Sequence, residues 1–126
     1  MADLDRAQEF YTSLFDLEPM LRDERMAALS VPGRQVLLLF REGMSTEPSV
    51  TPFGSIPPHG SHGIQHVCFA IELEDLPGWE ARLAQAGIAT ESRLMWPQGA
   101  VSVYFRDPDG HSVELSTPRL WPNDRG

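Results

Sequence analysis

The chain carries one pattern of apolar residues twice, and a repeat of this kind constrains the fold more than any other feature of the sequence. Apolar residues recur at increments of three, four and three in two segments, which is the spacing of one face of an α-helix. Every member of the second set lies 72 positions after its counterpart in the first: Leu4, Ala7, Tyr11 and Leu14, then Leu76, Trp79, Leu83 and Ala86. Asp3 and Asp75 precede the two sets, each at a position that suits a helix N-cap.

Three strand-like segments follow each helix, so both halves have the order helix, strand, strand, strand. The segments are residues 19–22, 26–31 and 35–40 in the first half, and residues 89–96, 100–106 and 111–116 in the second. A further strand, residues 64–72, leads directly into the second helix. The first half has no counterpart of it, because only Met1 and Ala2 precede Asp3. The pattern predicts an α+β fold of two similar modules, the first without its leading strand.

Length and composition favour a single domain. The chain has 126 residues, of which 41% are hydrophobic and 22% charged, as in an ordinary globular domain. We assign residues 1–42 to the incomplete first module and residues 64–118 to the second. Residues 43–63, rich in Pro, Gly, Ser and Thr, are interpreted as a linker, and residues 119–126 as a C-terminal tail.

Charge and cysteine content exclude several classes of protein. The net charge of −8 would repel a phosphate backbone, so nucleic acid is not an expected partner. The longest apolar run, residues 36–40, is far shorter than the roughly 18 residues of a membrane span. The single cysteine, Cys68, excludes an internal disulfide and multi-cysteine zinc sites. The start of the chain has no signal-peptide pattern, so we expect a cytoplasmic protein without membrane contact.

The strands of the second half separate polar from apolar residues, because side chains alternate between the two faces of a strand. One face carries the polar and small residues His66, Cys68, Ala70, Ser102, Tyr104, Arg106, Ser112, Glu114 and Ser116. Two interpretations stay open for this face. It is a solvated surface, as in many antiparallel sheets, or it lines a ligand cavity, which the small side chains of Cys68 and Ala70 favour.

Three stretches of the chain resemble the vicinal oxygen chelate (VOC) superfamily, the group of glyoxalase I, extradiol dioxygenases, fosfomycin-resistance transferases and bleomycin-binding proteins. They are Asp3-Leu4-Asp5-Arg6-Ala7 with Phe10-Tyr11 and Leu14-Phe15, Gln65-His66-Val67-Cys68-Phe69, and Tyr104-Phe105-Arg106-Asp107-Pro108-Asp109-Gly110-His111 with Val113-Glu114-Leu115. The resemblance implies paired βαβββ modules, the glyoxalase/bleomycin resistance/dihydroxybiphenyl dioxygenase fold, with two curved sheets around a metal cleft.

The resemblance also implies site residues. Metal ligands of the family lie on the first and last strands of a module, which gives His66 and Glu114 here. Ser102 and Tyr104 match positions that bind substrate or a nearby ion in fosfomycin-resistance enzymes, and we expect Cys68 to line the same substrate-binding cavity. The third ligand of the family often comes from the first strand of module one, which is absent, and alignment of the two modules places Leu37 opposite Glu114.

An imidazole and a carboxylate suit Fe, Mn, Ni, Co or Zn. We therefore expect a divalent-metal-dependent enzyme, a VOC-type lyase or dioxygenase, that chelates a small oxygenated substrate through two of its oxygens. One alternative is a metal-free binding protein for a small molecule such as a bleomycin-like antibiotic, which Leu37 and the incomplete first module favour. In another, His66 is a structural histidine and Glu114 a solvated strand residue.

The absent strand also bears on assembly. Without it the first sheet has an unpaired edge, and such an edge invites pairing with another chain. The family resemblance implies modules assembled across a dimer, so we expect a homodimer. In the alternative, the native protein begins upstream and contains the strand.

Overall fold

The computed structural model describes residues 1–124, which fall into two compact units, residues 1–63 and residues 64 onward. The helices are α1 (Leu4–Phe15), a short 3-10 helix (Leu73–Asp75) and α2 (Leu76–Gln85). The strands are β1 (Glu18–Arg22), β2 (Met26–Val31), β3 (Gln35–Phe40), β4 (Ser49–Thr51), β5 (Gly54–Ile56), β6 (His66–Ala70), β7 (Ser92–Met95), β8 (Val101–Arg106) and β9 (Ser112–Ser116). The predicted α+β class and the order of helix and strands in both modules are confirmed.

Helix α1 begins where the sequence predicts. The Asp3 side chain accepts a hydrogen bond from the Arg6 backbone N–H and so caps one of the free donors of the first turn. The residues of the first apolar stripe are all buried: Leu4, Ala7, Tyr11 and Leu14. The helix ends at Asp16, which takes the left-handed conformation with φ 57°.

The sheet of the first unit has three antiparallel strands in the order β1-β2-β3. In the part of the chain that the structure describes, no strand pairs with the outer edge of β3. Met1 lies at the end of this edge, where its amino group donates to the Phe40 carbonyl and its own carbonyl accepts from the Glu42 N–H, both at 2.8 Å. Among the described residues, the first module therefore has no leading strand, as the sequence predicts.

Residues 43–63 contain more structure than the linker interpretation gives them. Strands β4 and β5 form a small antiparallel hairpin in this segment. The Thr51 hydroxyl closes its turn, since Oγ1 donates to the Gly54 carbonyl and accepts from the Phe53 N–H. Three-residue strands leave almost no alternation of polar and apolar residues, so the sequence pattern does not reveal them.

The second unit contains a four-stranded mixed sheet in the order β6-β9-β8-β7. β6 runs parallel to β9, and the other two pairs are antiparallel. One face of the sheet is sealed from solvent by fully buried apolar side chains: Val103, Phe105, Val113 and Leu115. These are the residues that strand parity assigns to the packed face.

Helix α2 follows the first helix less closely than the repeat suggests. Leu76 and Leu83 are buried, Trp79 is half-buried and Ala86 is exposed at the end of the helix. Asp75 is the N-cap residue, but its side chain makes no capping bond, because the preceding 3-10 turn already carries the chain into the helix. Gly87, with φ 71°, follows the helix end as predicted. Among the described residues, no helix is long and apolar enough to cross a membrane.

Candidate functional site

Three neighbouring strands bring the predicted site residues of the second unit together. Cys68 of β6 and Tyr104 of β8 are the Cα partners of Glu114, one on each side of β9. His66 pairs with Ser112 and therefore lies two positions from Cys68 on the same face. Ser102 lies two positions from Tyr104 on β8, so all five predicted residues occupy one patch of the polar face.

Glu114 is buried and its carboxylate is held in a fixed orientation. Its side chain has only 7% of its surface exposed. The Ser102 hydroxyl donates to Glu114 Oε2 at 2.7 Å, and the Trp96 indole N–H donates to Ser102 Oγ at 2.9 Å. These two successive hydrogen bonds, called the relay below, occupy Oε2 of the carboxylate and leave Oε1 for His66.

Ser102 itself has no exposed surface. In this position its hydroxyl orients the Glu114 carboxylate, and the substrate-binding role that the family resemblance implies for Ser102 stays a prediction. Trp96 was not predicted as part of this network. Its only sequence signal is a tryptophan before Pro97 at the end of a strand, which does not specify what the indole N–H contacts.

His66 has one ring nitrogen on a backbone carbonyl and the other on the carboxylate. Nδ1 lies 3.1 Å from the Ser112 carbonyl oxygen, which can only accept, so Nδ1 carries a hydrogen. Nε2 lies 3.1 Å from Glu114 Oε1. The side chain is half-exposed, and its ring stacks on Tyr104 with centroids 6.1 Å apart. The imidazole is thus oriented on one side and open to solvent on another.

The contact between His66 Nε2 and Glu114 Oε1 fits a divalent ion held by both atoms. With Nδ1 protonated, a neutral His66 points the Nε2 lone pair at a carboxylate oxygen, and a proton or a cation is needed between them. Nitrogen and oxygen ligands lie about 2.1 Å from a zinc ion, so two neighbouring ligands are about 3.0–3.4 Å apart. The observed 3.1 Å is within that spacing. A hydrogen bond from the second ring nitrogen to a carbonyl is the usual support of a metal-binding histidine.

Cys68 and Tyr104 both contact the buried carboxylate and stay protonated near neutral pH. Partial burial, followed by the charge and hydrogen bond of Glu114, raises the pKa of the Cys68 thiol to about 12. Burial and then Glu114 also raise the pKa of Tyr104. Both groups are therefore hydrogen-bond donors beside Glu114, and Cys68 is not a thiolate nucleophile at neutral pH.

A second group of potential metal ligands lies in the turn between β8 and β9. Ligand atoms of Asp107, Asp109 and His111 all lie within 4.8 Å of one another. Asp107 Oδ1 accepts the backbone N–H groups of Asp109 and His111, each at 2.9 Å, and His111 Nδ1 accepts the Gln65 N–H. These bonds close the turn and fix the start of β9. The cluster is therefore a second candidate for holding a metal ion, beside His66 and Glu114.

The first unit contributes a different set of side chains at the corresponding positions. Leu37 is half-buried and pairs with Leu29 across the sheet, so this position of the first module offers no metal ligand. His62 of the first unit pairs through Nδ1 with the Glu42 carboxylate and is highly exposed.

Comparison with known proteins gives concordant results. The model of the Glyoxalase/Bleomycin resistance protein/Dioxygenase superfamily matches residues 1–115. The chain is 31% identical to metallothiol transferase FosB of Bacillus licheniformis, over 93% of this chain and 70% of that protein. It is 32% identical to catechol-2,3-dioxygenase of Bacillus subtilis, over 97% of this chain but only 41% of that protein.

Among solved structures, the chain is similar to lactoylglutathione lyase from Agrobacterium tumefaciens. The TM-score is 0.86 and the sequence identity 36%, over 96% of this chain and 90% of that one. The relatives named here include a transferase, a dioxygenase and a lyase, so the likeness identifies a common framework and leaves the reaction open.

The raised pKa of Cys68 predicts slow alkylation of metal-free protein by iodoacetamide at pH 7–9, because only the thiolate reacts. The rate should rise steeply as the pH approaches about 12. Glu114→Gln removes the charge but not the burial, so it should lower the pKa of the thiol only partly and speed the reaction at pH 9. Alkylation followed by mass is unambiguous, since the chain has one cysteine. Urea-unfolded protein is the control, and a half-maximal rate near pH 8.5 in the folded protein would contradict the assignment.

Proposed function

The chain belongs to the Glyoxalase/Bleomycin resistance protein/Dioxygenase superfamily, and we propose that it is a divalent-metal enzyme in which His66 and Glu114 are two of the metal ligands. The observation that carries the proposal is the distance of 3.1 Å between His66 Nε2 and Glu114 Oε1. Each side chain is held in place by a further hydrogen bond, His66 by the Ser112 carbonyl and Glu114 by the Ser102 hydroxyl. Such outer bonds fix ligand geometry before an ion binds.

The proposed ion is Fe, Mn, Ni, Co or Zn, because one imidazole and one carboxylate suit these metals. When bound, it would act as a Lewis acid towards neighbouring oxygens of a small substrate, with His66 and Glu114 holding it. Tyr104 lies beside His66, and because its hydroxyl hydrogen is donated to Glu114, its oxygen is left to accept a hydrogen bond from a substrate hydroxyl. Cys68 forms part of the wall next to it. The reaction class we favour is that of a lyase or dioxygenase.

A metal-free binding module remains the second candidate. Only two ligands meet at this position within residues 64–124, and Leu37 takes the corresponding position of the first module. In that case the same cavity would hold a small molecule, such as a bleomycin-like antibiotic, without chemistry. The two candidates differ in whether the purified protein retains a metal.

The decisive experiment measures the metal bound after exposure to a panel of divalent ions and removal of free ion, by mass spectrometry of the metal. The wild-type protein should retain close to one ion per chain, and His66→Ala and Glu114→Gln should each lose it. Asp109→Asn is the matched control, because it alters the competing cluster at the β8–β9 turn and should leave retention unchanged. Retention that survives both site variants, or that is lost only with Asp109→Asn, would overturn the proposal. No metal in any protein would favour the binding module.

The same titration separates the ligands from the residues that orient them. Ser102→Ala and Trp96→Phe remove successive donors of the relay and should weaken metal affinity by about 10- to 100-fold, as loss of outer-sphere partners usually does. Ser116→Ala is the control, because this buried hydroxyl donates to the Thr117 carbonyl and not to Glu114. Equal affinities of Ser102→Ala and Ser116→Ala would show that the relay does not act on the metal site.

We further propose that the protein is a homodimer. The outer edge of β3 has no strand partner among the described residues, and Val36 and Leu38 on this strand expose 52% and 46% of their surfaces. Open strand edges with apolar side chains tend to pair with another chain.

Light scattering at micromolar concentration should therefore give about twice the chain mass of 14.1 kDa. Val36→Lys places a charge on the edge strand and should shift the population towards monomer. As its control, Val50→Lys alters an equally apolar residue on the exposed β4–β5 hairpin. A monomeric wild-type protein would contradict the proposal.

A further inference from the structure

A groove with a volume of about 760 Å³ lies in the second unit, next to the polar patch. Its walls come from the end of β6, the start of α2 and the segment that follows β9. A volume of this size is within the range of pockets that bind small molecules. Neither the family nor the site residues described above account for the chemistry of its walls.

The walls combine indole rings with carboxylates. Trp79 and Trp121 contribute the two rings, and Trp121 has 65% of its surface exposed. Glu72, Asp75 and Asp124 contribute the carboxylates. Among the described residues that line the groove, none is a lysine, an arginine or a histidine. The local charge is therefore negative, with aromatic surface beside it.

Two carboxylates of the groove, those of Glu72 and Asp75, have no ion-pair partner within residues 1–124. The guanidinium carbon of Arg82 lies 5.8 Å from the ring centroid of Trp79, but Arg82 does not line the groove. This contact shows that a cation is accommodated against an indole of this wall.

The groove continues the proposed metal site along the same face of the sheet. Cys68 of β6 lines it and is the Cα partner of Glu114. Ala70 and Ser116, the next pair on the same face of these parallel strands, line it too. These side chains are small, so they separate the metal ligands from the groove without closing it.

We propose that the groove binds an organic cation, a protonated or quaternary amine, that forms the far end of the substrate. That the cation is part of a substrate rests on the proposed function, whereas binding of an organic cation in the groove does not. Carboxylates attract an ammonium group, and indole rings stabilise it through cation–π contacts. An anionic group in the same position would meet like charges, which favour its exclusion.

The test uses three probes of nearly one shape: choline, the uncharged 3,3-dimethylbutan-1-ol and the anion 3,3-dimethylbutanoate. Each is titrated into the full chain while the indole N–H resonances of the three tryptophans are followed by NMR. Choline should shift the resonances of Trp79 and Trp121, which line the groove, and leave that of Trp96 unchanged. It should bind about tenfold more tightly than the uncharged probe, because cation–π contacts at partly exposed rings add to the attraction of the carboxylates.

Variants that remove carboxylates test whether choline binds in the groove. Glu72→Gln with Asp75→Asn should weaken choline binding by about tenfold, whereas Glu18→Gln with Glu47→Gln, which removes the same charge from residues that do not line the groove, should change it less than twofold. His66→Ala should leave choline binding intact, so failure of the metal proposal is distinguishable from failure of this one. Equal affinity for choline and the uncharged probe, equal losses in both double variants, or no shift of Trp79 and Trp121 would each overturn the proposal.

Discussion

The parallel pairing of β6 with β9 is the contact on which the candidate site depends. β6 is the first strand of the second unit and lies against its last strand, so that His66 reaches Glu114 although 48 positions separate them. A shift of β6 by one residue in this register would turn His66 to the packed face and away from Glu114. The buried apolar face beneath, with Val113 and Leu115 fully enclosed, holds the register and with it the site.

The first module has the same plan without this contact. Its last strand, β3, lacks the parallel neighbour in the described residues, and only Met1 touches the end of its outer edge. Leu37 lies where the second module has Glu114. The two halves of the repeat therefore share the order of helix and strands but differ in the side chains at corresponding positions, and both proposed metal ligands, His66 and Glu114, belong to the second.

Strand parity alone was sufficient to place His66, Cys68, Tyr104 and Glu114 on one face, because the alternation of side chains is a local property. The hydrogen bonds from Trp96 through Ser102 to Glu114 could not be predicted from the sequence, because they depend on the antiparallel pairing of β7 and β8 and on rotamers set by packing. The complete burial of Ser102 was missed for the same reason: a serine on a polar face gives no sign of what covers it. The β4–β5 hairpin was hidden by its short strands in a segment rich in turn-forming residues.

The central claim is that His66 and Glu114 share an ion, and anomalous X-ray diffraction from crystals of the protein loaded with Co²⁺ tests it most directly. The account predicts the strongest anomalous peak within bonding distance of both His66 Nε2 and Glu114 Oε1, about 2.1 Å from each. A peak at Asp107, Asp109 and His111 instead, with none between His66 and Glu114, would contradict the account.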